Sequence, residues 1–420
     1  MPKRPDERLL IYSEQGQKWL NQFEPLDLEV AIKLANSLTL VSHSEFQRKL
    51  KKQIMSVADT YDGAVALYAV RELATRDWRP IPFFEQVLVD EASQTVNSLS
   101  ASSDQGSEAI VAQVIRSFSK ENPKKYLNHP TKEKMKETKC NTILFIDDIV
   151  GSGKRVRDFI DSFLSDKTIR SWRSLKYVNF DVVSYSATDS GYDSVISHRS
   201  APKLHIERDA PSFHTIPMRT EMRDKIFALC RKYGRIANKR RKNMWFGFHE
   251  GMAAIVFEHG CPNNTPGILW EPDFKNSNWI GLFPNRTVSS STQSVFPEEV
   301  KRRDTTALLL EIGQKRIAQG GALLRRGELG QKILVVLGLI AIGQRKRSTL
   351  SFATGLNTQD CEKLLSKCIK WGFITPQRRI TPKGNAELNA ARKYRGKLQV
   401  PLEVGSDYYY PLQLRGAAID

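Results

Sequence analysis

The sequence is short of cysteine, of acidic residues relative to basic ones, and of long apolar runs. Each shortage excludes something. Its five cysteines, Cys140, Cys230, Cys261, Cys361 and Cys368, form no CxxC pair, are odd in number and thinly spread, with Cys361 and Cys368 spaced to share one face of a helix. That pattern argues against a disulfide framework or a zinc cage and predicts reduced thiols in a cytoplasmic setting. The most apolar stretch, ILVVLGLIAI (333–342), is about half of a membrane span. The opening MPKRPDERLL has no apolar core of the secretory type. No membrane partner is expected.

What is present describes a globular chain. The 420 residues allow two or three domains, with 40% apolar and 26% charged residues. The net charge is +18, and residues 301–420, with 22 Lys/Arg against 9 Asp/Glu, carry +13 of it. A positive field concentrated on one region suits a polyanion, nucleic acid first, although a solvated basic surface gives the same count.

The spacing predicts a helical region over 1–82, with apolar positions from Leu28 to Leu38 and a second helical face in AVALYAVREL (64–73). From 83 to 290 strands and helices alternate. Phe83 to Val89 is a weak strand, SEAIVAQVIRSF (107–118) a helix capped by Ser107, and NTILFID (141–147) a buried strand. KRVRDFIDSFL (154–164) is a helix, YVNFDVVSYSA (177–187), PKLHIER (202–208) and MAAIVFEH (252–259) are strands, and 219–242 is a long basic helix. Such alternation predicts an α/β domain with a parallel sheet wrapped by helices. PNRTVSSSTQSVFPEE (284–299), rich in Ser, Thr and Pro, reads as a linker, so that 291–330 joins this domain to a unit at 331–400 and a tail at 401–420.

The segment ILFIDDIVGSGKRV (143–156) carries the chemistry. Four apolar residues end at two carboxylates; two more lead to a small-sided loop, and a helix follows at once. Backbone N–H groups of Gly151, Ser152, Gly153, Lys154 and Arg155 would face an anion, with the helix dipole behind them. The Ser152 hydroxyl and Lys154 ammonium add donors. Beside them Asp147 and Asp148 suit vicinal hydroxyls and can help hold magnesium. GSGK is not half of a Walker loop, because Asp148 stands where the first glycine belongs and Arg155 where a metal-binding Ser/Thr belongs.

This segment resembles the phosphoribosyl pyrophosphate (PRPP) motif of type I phosphoribosyltransferases. The resemblance implies that Asp147 and Asp148 hold the ribose hydroxyls, directly or with Mg²⁺ and substrate, and that Gly151 to Arg155 wrap the 5′-phosphate. Arg155 departs from the family's usual Thr or Ser, which puts ordinary transferase turnover in doubt. That fold also has a second small loop for pyrophosphate; Gln105, Gly106 and Ser107 lie in the right order, although Gly and Ser before a helix are also a plain turn and cap.

HGCPNNTPGILWEPD and the following WIGLFPNR (259–286) offer Asn263, Asn264 and Trp270 as contacts to a base, or equally as Asx-turn chemistry over a tryptophan core. With the acidic pair, this segment resembles a divergent branch of phosphoribosyltransferase-like proteins from bacterial conflict systems, some encoded beside retron reverse transcriptases. The histidines His205, His214 and His249 show no metal-ligand spacing.

Residues 331–392 resemble the winged-helix family: a helix at 331–342, a short one capped by Ser348, and a third from Thr358 to Trp371 with Leu364, Leu365 and Cys368 inward. Gly372 ends the third helix, and a basic tip and the ending ITPKGNAEL (380–388) follow. A nucleic-acid face would comprise Arg345, Lys346, Arg347, Lys363, Lys367, Arg378, Arg379 and Lys383. Protein docking is the other use of such a module, and the tyrosines of SDYYYPLQLRG (406–416) could stack on bases or pack. The resemblances together imply an effector acting on a phosphoribosyl compound or nucleotide at C1′. Its partners would be nucleic acid, including multicopy single-stranded DNA, and a reverse transcriptase. The alternative is a non-catalytic PRPP-sensing transcriptional regulator. Oligomerisation stays open.

Overall fold

The computed structural model describes residues 9–76, 79–96, 107–271, 278–300, 304–323 and 325–394. The chain forms two compact units, residues 1–303 with 344–367, and residues 304–343 with 368–420.

The first unit is built on five parallel strands: β1 (Val65–Ala69), β2 (Tyr126–Asn128), β3 (Thr142–Val150), β4 (Asn179–Ala187) and β5 (Lys203–Asp209), in the spatial order β2-β1-β3-β4-β5. β3 is buried along all nine residues, as a central strand covered on both faces must be. Ile143 and Phe145 point into one core and Leu144 and Ile146 into the other. The first core takes Val156, Phe159, Ile160 and Phe163 from helix α3 (Lys154–Ser165), whose apolar stripe recurs at helical spacing. The second takes Phe46, Leu50 and Ile54 from α1 (His43–Ala58), and Val111, Ile115 and Phe118 from α2 (Ser107–Glu121). Chain order reverses between β1 and β3, and ligands of such sheets sit at that crevice beyond the strands' carboxyl ends.

A third core joins Trp19, α5 (Thr220–Ala237) and the segment 261–296. A short parallel pair, Thr39–Val41 with Ile255–Phe257, leads from it towards the main sheet. α4 (Asp189–Ile196) follows β4, with Thr188 accepting the Gly191 N–H as its cap.

Several expectations are corrected here. AVALYAVREL contains the strand β1, not a helix; Ala64, Ala66, Tyr68 and Val70 alternate with Val65, Leu67 and Ala69 between the two cores. Phe83–Glu85 is a single 3-10 turn rather than a strand. The long basic helix stops at Ala237. Residues 284–299 are no linker, because Val295 and Phe296 bury into the third core.

Residues 344–367 lie on the β5 edge. They contain α7 (Arg347–Thr354) and most of α8 (Thr358–Lys370). Arg347 grips the buried Asp209 at the end of β5 with Nε 3.1 Å from both carboxylate oxygens and Nη2 2.8 Å from Oδ1. Thr358 Oγ1 donates to Asp209 Oδ2 at 3.4 Å. Ser348 does not cap α7; its hydroxyl donates to Asp189 Oδ2 at 3.0 Å, and the helix begins one residue earlier.

In the second unit α6 (Glu328–Ala341) packs on α9 (Pro382–Lys393). Gly372, at φ 73°, ends α8, and Ile374 bridges Ile380 in the turn before α9. This is the helix, short hairpin and helix ending of a winged helix. Among the described residues no helix is long and apolar enough to cross a membrane, and the five cysteines are buried and outside any disulfide.

Candidate functional site at the end of the third strand

β3 delivers Asp147 and Asp148, both buried, to the crevice between β1 and β3. The chain then turns through Gly151 to Gly153 into α3. Gly153 sits at φ 78° as the residue before the helix, where a Cβ would come 2.8 Å from Ser194 Cβ. The N-cap residue of α3 is Gly153, which has no side chain to cap it, in contrast to Ser42 on α1 and Thr188 on α4. Apart from the Lys154 N–H, which Ser152 Oγ accepts at 3.4 Å, the first N–H groups face the loop mouth with the positive end of the dipole behind them.

The loop is held from both sides. Thr188 Oγ1 donates to the Gly151 carbonyl at 2.5 Å, and the Thr188 N–H to Val150 O at 3.0 Å. Opposite, Asn264 is buried so tightly on Gly151 that an added Cβ would lie 2.1 Å from its Oδ1. On its other side an open cleft of about 380 Å³ is lined by Ser152, Lys154, Arg157, Ser190, Ser194 and His249. Lys154 pairs with Asp158, and Ser152 Oγ accepts the Lys154 N–H at 3.4 Å.

Arg155 lies across the acidic pair. Its Nη2 is 2.5 Å from Asp147 Oδ1 and 3.3 Å from Asp148 Oδ1, with the side chain about one-third exposed. Asp147 Oδ1 also accepts the Asp148 N–H at 3.0 Å. His259 Nε2 stands 3.3 Å from Asp148 Oδ2, its ring stacked on Phe257 and set edge-on to Phe46. Among the described residues, Asp147 Oδ2 is buried without a hydrogen-bond partner. Burial pushes the Asp147 carboxyl up to about 8 against the pull of Arg155. Burial acts on Asp148 too, but His259 and Arg155 outweigh it and hold that carboxyl below the usual range. Arg71, two residues past the end of β1, is buried across the crevice with Nε unpartnered among the described residues. Burial holds the Arg71 guanidinium below its ordinary value, with Glu108 on α2 opposing it, whereas Asp147 and Asp148 outweigh burial and raise that of Arg155, Glu108 adding to them.

The residues expected from the sequence fall into three groups. Asp147, Asp148, Gly151, Ser152, Gly153, Lys154 and Arg155 are brought together at one strand end. Asn264 joins them as a wall, its Nδ2 donating to Phe248 O at 3.3 Å, while Asn263 carries the carbonyl that accepts the Phe248 N–H. Trp270 does not join them: it is buried in the third core, Nε1 on Thr265 O, so it offers no face to a base. Ser107 begins α2, whereas Gln105 and Gly106 lie outside the described residues. Of the basic residues near the C-terminus, Arg347 is half-buried and committed to Asp209, which corrects its assignment to a nucleic-acid face. Lys346 stands 3.4 Å from Asp189, and Lys363 3.2 Å from Asp360. Arg345, Lys367, Arg379 and Lys383 are exposed, Arg378 partly so, and Lys383 lies over the Phe373 ring. The tail 406–416 falls outside the described residues.

Sequence reasoning missed Arg71, Glu108 and His259. His259 had a signal, since it opens the HGCPNN phrase whose Asn264 lines the same loop. Arg71 had none while its strand was read as a helix.

A family model described as PRTase-CE matches residues 17–285, and one described as wHTH-PRTase associated matches residues 334–416. No curated protein and no solved structure matches the chain.

Proposed function

The chain belongs to the PRTase-CE family, matched over more than half its length, and from that premise we propose that it acts on a phosphoribosyl compound or nucleotide at C1′ of ribose. One observation carries the reading. A buried pair of carboxylates, one oxygen of it unpartnered among the described residues, stands beside a helix start whose N-cap is a glycine, at the sheet's switch point.

In this reading the N–H groups of Gly151 to Arg155 receive the 5′-phosphate, and the ribose hydroxyls donate to Asp147 and Asp148. The chain-reversal crevice then faces C1′, where Arg71 and Arg155 meet the charge of a diphosphate leaving group. Bond breaking builds positive charge on the sugar, and the adjacent carboxylates oppose it electrostatically. Catalysis of this kind needs positioning and fixed charge more than a dedicated base. The Mg²⁺ implied by the resemblance does not fit the acidic pair in this arrangement. Arg155 spans both Oδ1 atoms and takes the place beside them that the ion would need.

The biological role within this reading is that of an effector of an anti-phage, retron-type system, docked to nucleic acid or a reverse transcriptase by its winged helix. The support is the association of the two domains in one chain. The double change Asp147→Asn with Asp148→Asn should abolish both ribosyl-donor turnover and any toxicity in cells. Survival of either activity would remove the pair from the chemistry. Arg155 on both carboxylates also favours a second reading, a PRPP-sensing regulator without turnover. Promoter binding that responds to PRPP, with no turnover of any ribosyl donor, would select it.

A further inference from the structure

Four carboxylate oxygens meet at the end of β3, and three are taken. Asp147 Oδ1 receives Arg155 and the Asp148 N–H; Asp148 Oδ1 receives Arg155; Asp148 Oδ2 faces His259. The fourth, Asp147 Oδ2, is sealed from solvent and unpaired. A magnesium ion demands oxygen ligands at about 2.0–2.1 Å in an octahedron and gives up its waters reluctantly. No such set exists while the guanidinium spans the pair. Two carboxylates side by side nevertheless need a counter-charge, and an arginine keeps its own at any working pH.

We propose that Arg155 is the resident cation of this site and does the work a divalent metal would otherwise do for a phosphoribosyl diphosphate ligand. The inference rests on the phosphoribosyl reading given above. Before ligand arrives the guanidinium neutralises the acidic pair. When ribose hydroxyls claim the Oδ1 atoms, it moves onto the diphosphate. Both bonds of Arg155 to the pair run through Nη2, so the rest of its planar fork remains for phosphoryl oxygens. Its position in the first turn of α3, one-third exposed, puts the side chain at the loop mouth with space to move. Arg71 waits across the crevice with Nε unpartnered, a second fixed charge for the same diphosphate. A Thr or Ser at position 155 would leave the carboxylates bare and make the metal necessary.

The test is calorimetric titration of the full-length protein with PRPP, once in EDTA and once in excess Mg²⁺. The native protein should bind in EDTA within about threefold of its affinity in magnesium, while R155T should lose about tenfold or more in EDTA and recover it with the metal. R155K should fall between them, since an ammonium can meet the carboxylates but has no planar fork left over for the phosphoryl oxygens. Native binding that appears only with Mg²⁺ would overturn the inference and leave the phosphoribosyl reading standing. Metal-free binding that R155T retains would also overturn it. Failure of both PRPP and ribose 5-phosphate to bind under either condition would sink the two together. The comparison of EDTA with Mg²⁺ on the native chain needs no variant, so a poorly folded R155T does not shelter the proposal.

Discussion

Two arginine–aspartate pairs in the first unit look alike and behave differently. At the β5 edge, Arg347 contacts both oxygens of Asp209, and Thr358 adds a donor to one of them. At the end of β3, Arg155 reaches two carboxylates through one nitrogen and leaves Asp147 Oδ2 buried with nothing to bond. A buried charge pair whose lone pairs are all met fastens two elements together. A pair left short stores an unmet demand, which is what a ligand supplies. Counting satisfied oxygens thus separates a structural arginine from a functional one where charge alone does not.

Removing one carboxylate from each pair tests that distinction most severely. Asp209→Ala strands Arg347 on a buried edge and should cost about 3 kcal/mol of unfolding free energy. Asp147→Asn removes a charge that burial already opposes, and leaves Arg155 its bond to Asp148. Its cost should stay within about 1 kcal/mol, with a gain equally admissible, because such sites trade stability for function. Urea denaturation of both variants gives the comparison directly. Equal losses would erase the difference between the two pairs.

The next effect concerns how the loop at β3 is shaped. Gly151→Ala places a Cβ 2.1 Å from Asn264 Oδ1, an overpacking that should cost about 1–3 kcal/mol and most phosphate affinity. Asn264→Ala removes the offending amide, so the double variant should recover part of the stability lost by G151A alone. A double-mutant cycle with no coupling would mean that Asn264 does not shape the loop.

That pair also shows how far the sequence could be read. β3, its two carboxylates, the loop and α3 are contiguous, so their order along the chain is also their order in space. The helices of the winged-helix region were legible for the same reason, through local periodicity and Gly372. His259 reaches Asp148 from 111 positions away, and Arg71 follows a strand five residues long whose alanines suit helix and strand alike. Asn264 was visible as an unusual residue, but as a reader of a base, not as a wall against Gly151. The Ser- and Thr-rich stretch at 284–299 misled because composition does not register Val295 and Phe296 anchoring it. Arg347 misled because a sequence gives its charge but not Asp209 opposite.

Acid acts on a different buried group, by an amount that accumulates with pH. His129 is buried next to the end of β1, with Nε2 accepting the Ala69 N–H at 3.0 Å and Nδ1 on Asn128. Burial first, then Arg71 and Arg116, push its pKa down to about 3. A pKa lowered by folding gives stability that is whole above the unfolded value near 6.5 and drains away as pH falls towards 3. Over that window the loss should approach roughly 1.4 kcal/mol per pH unit from this group. His129→Gln should flatten the slope between pH 6 and 4 relative to the native chain, as read by denaturation at each pH. An unchanged slope would move the acid sensitivity to another histidine. His43 and His198 are also held below their ordinary value by burial.

The smallest effect lies where the arginine comparison would break last. Lys363 and Lys367 on α8 are exposed, and Asp360 is paired with the first of them. They hold nothing buried, so by the rule drawn from Arg155 and Arg347 they are free to meet a polyanion. Changing both to Ala should leave the thermal midpoint in place and weaken binding of a short single-stranded DNA. The slope of log affinity against log salt should also become shallower, by roughly 0.7 for each single-strand phosphate that the variant no longer neutralises. Salt titrations of the native and double-variant chains measure this. Identical slopes would show that exposed charge on this helix has no phosphate to answer it, and that its basic character, like that of Arg347, serves the protein itself.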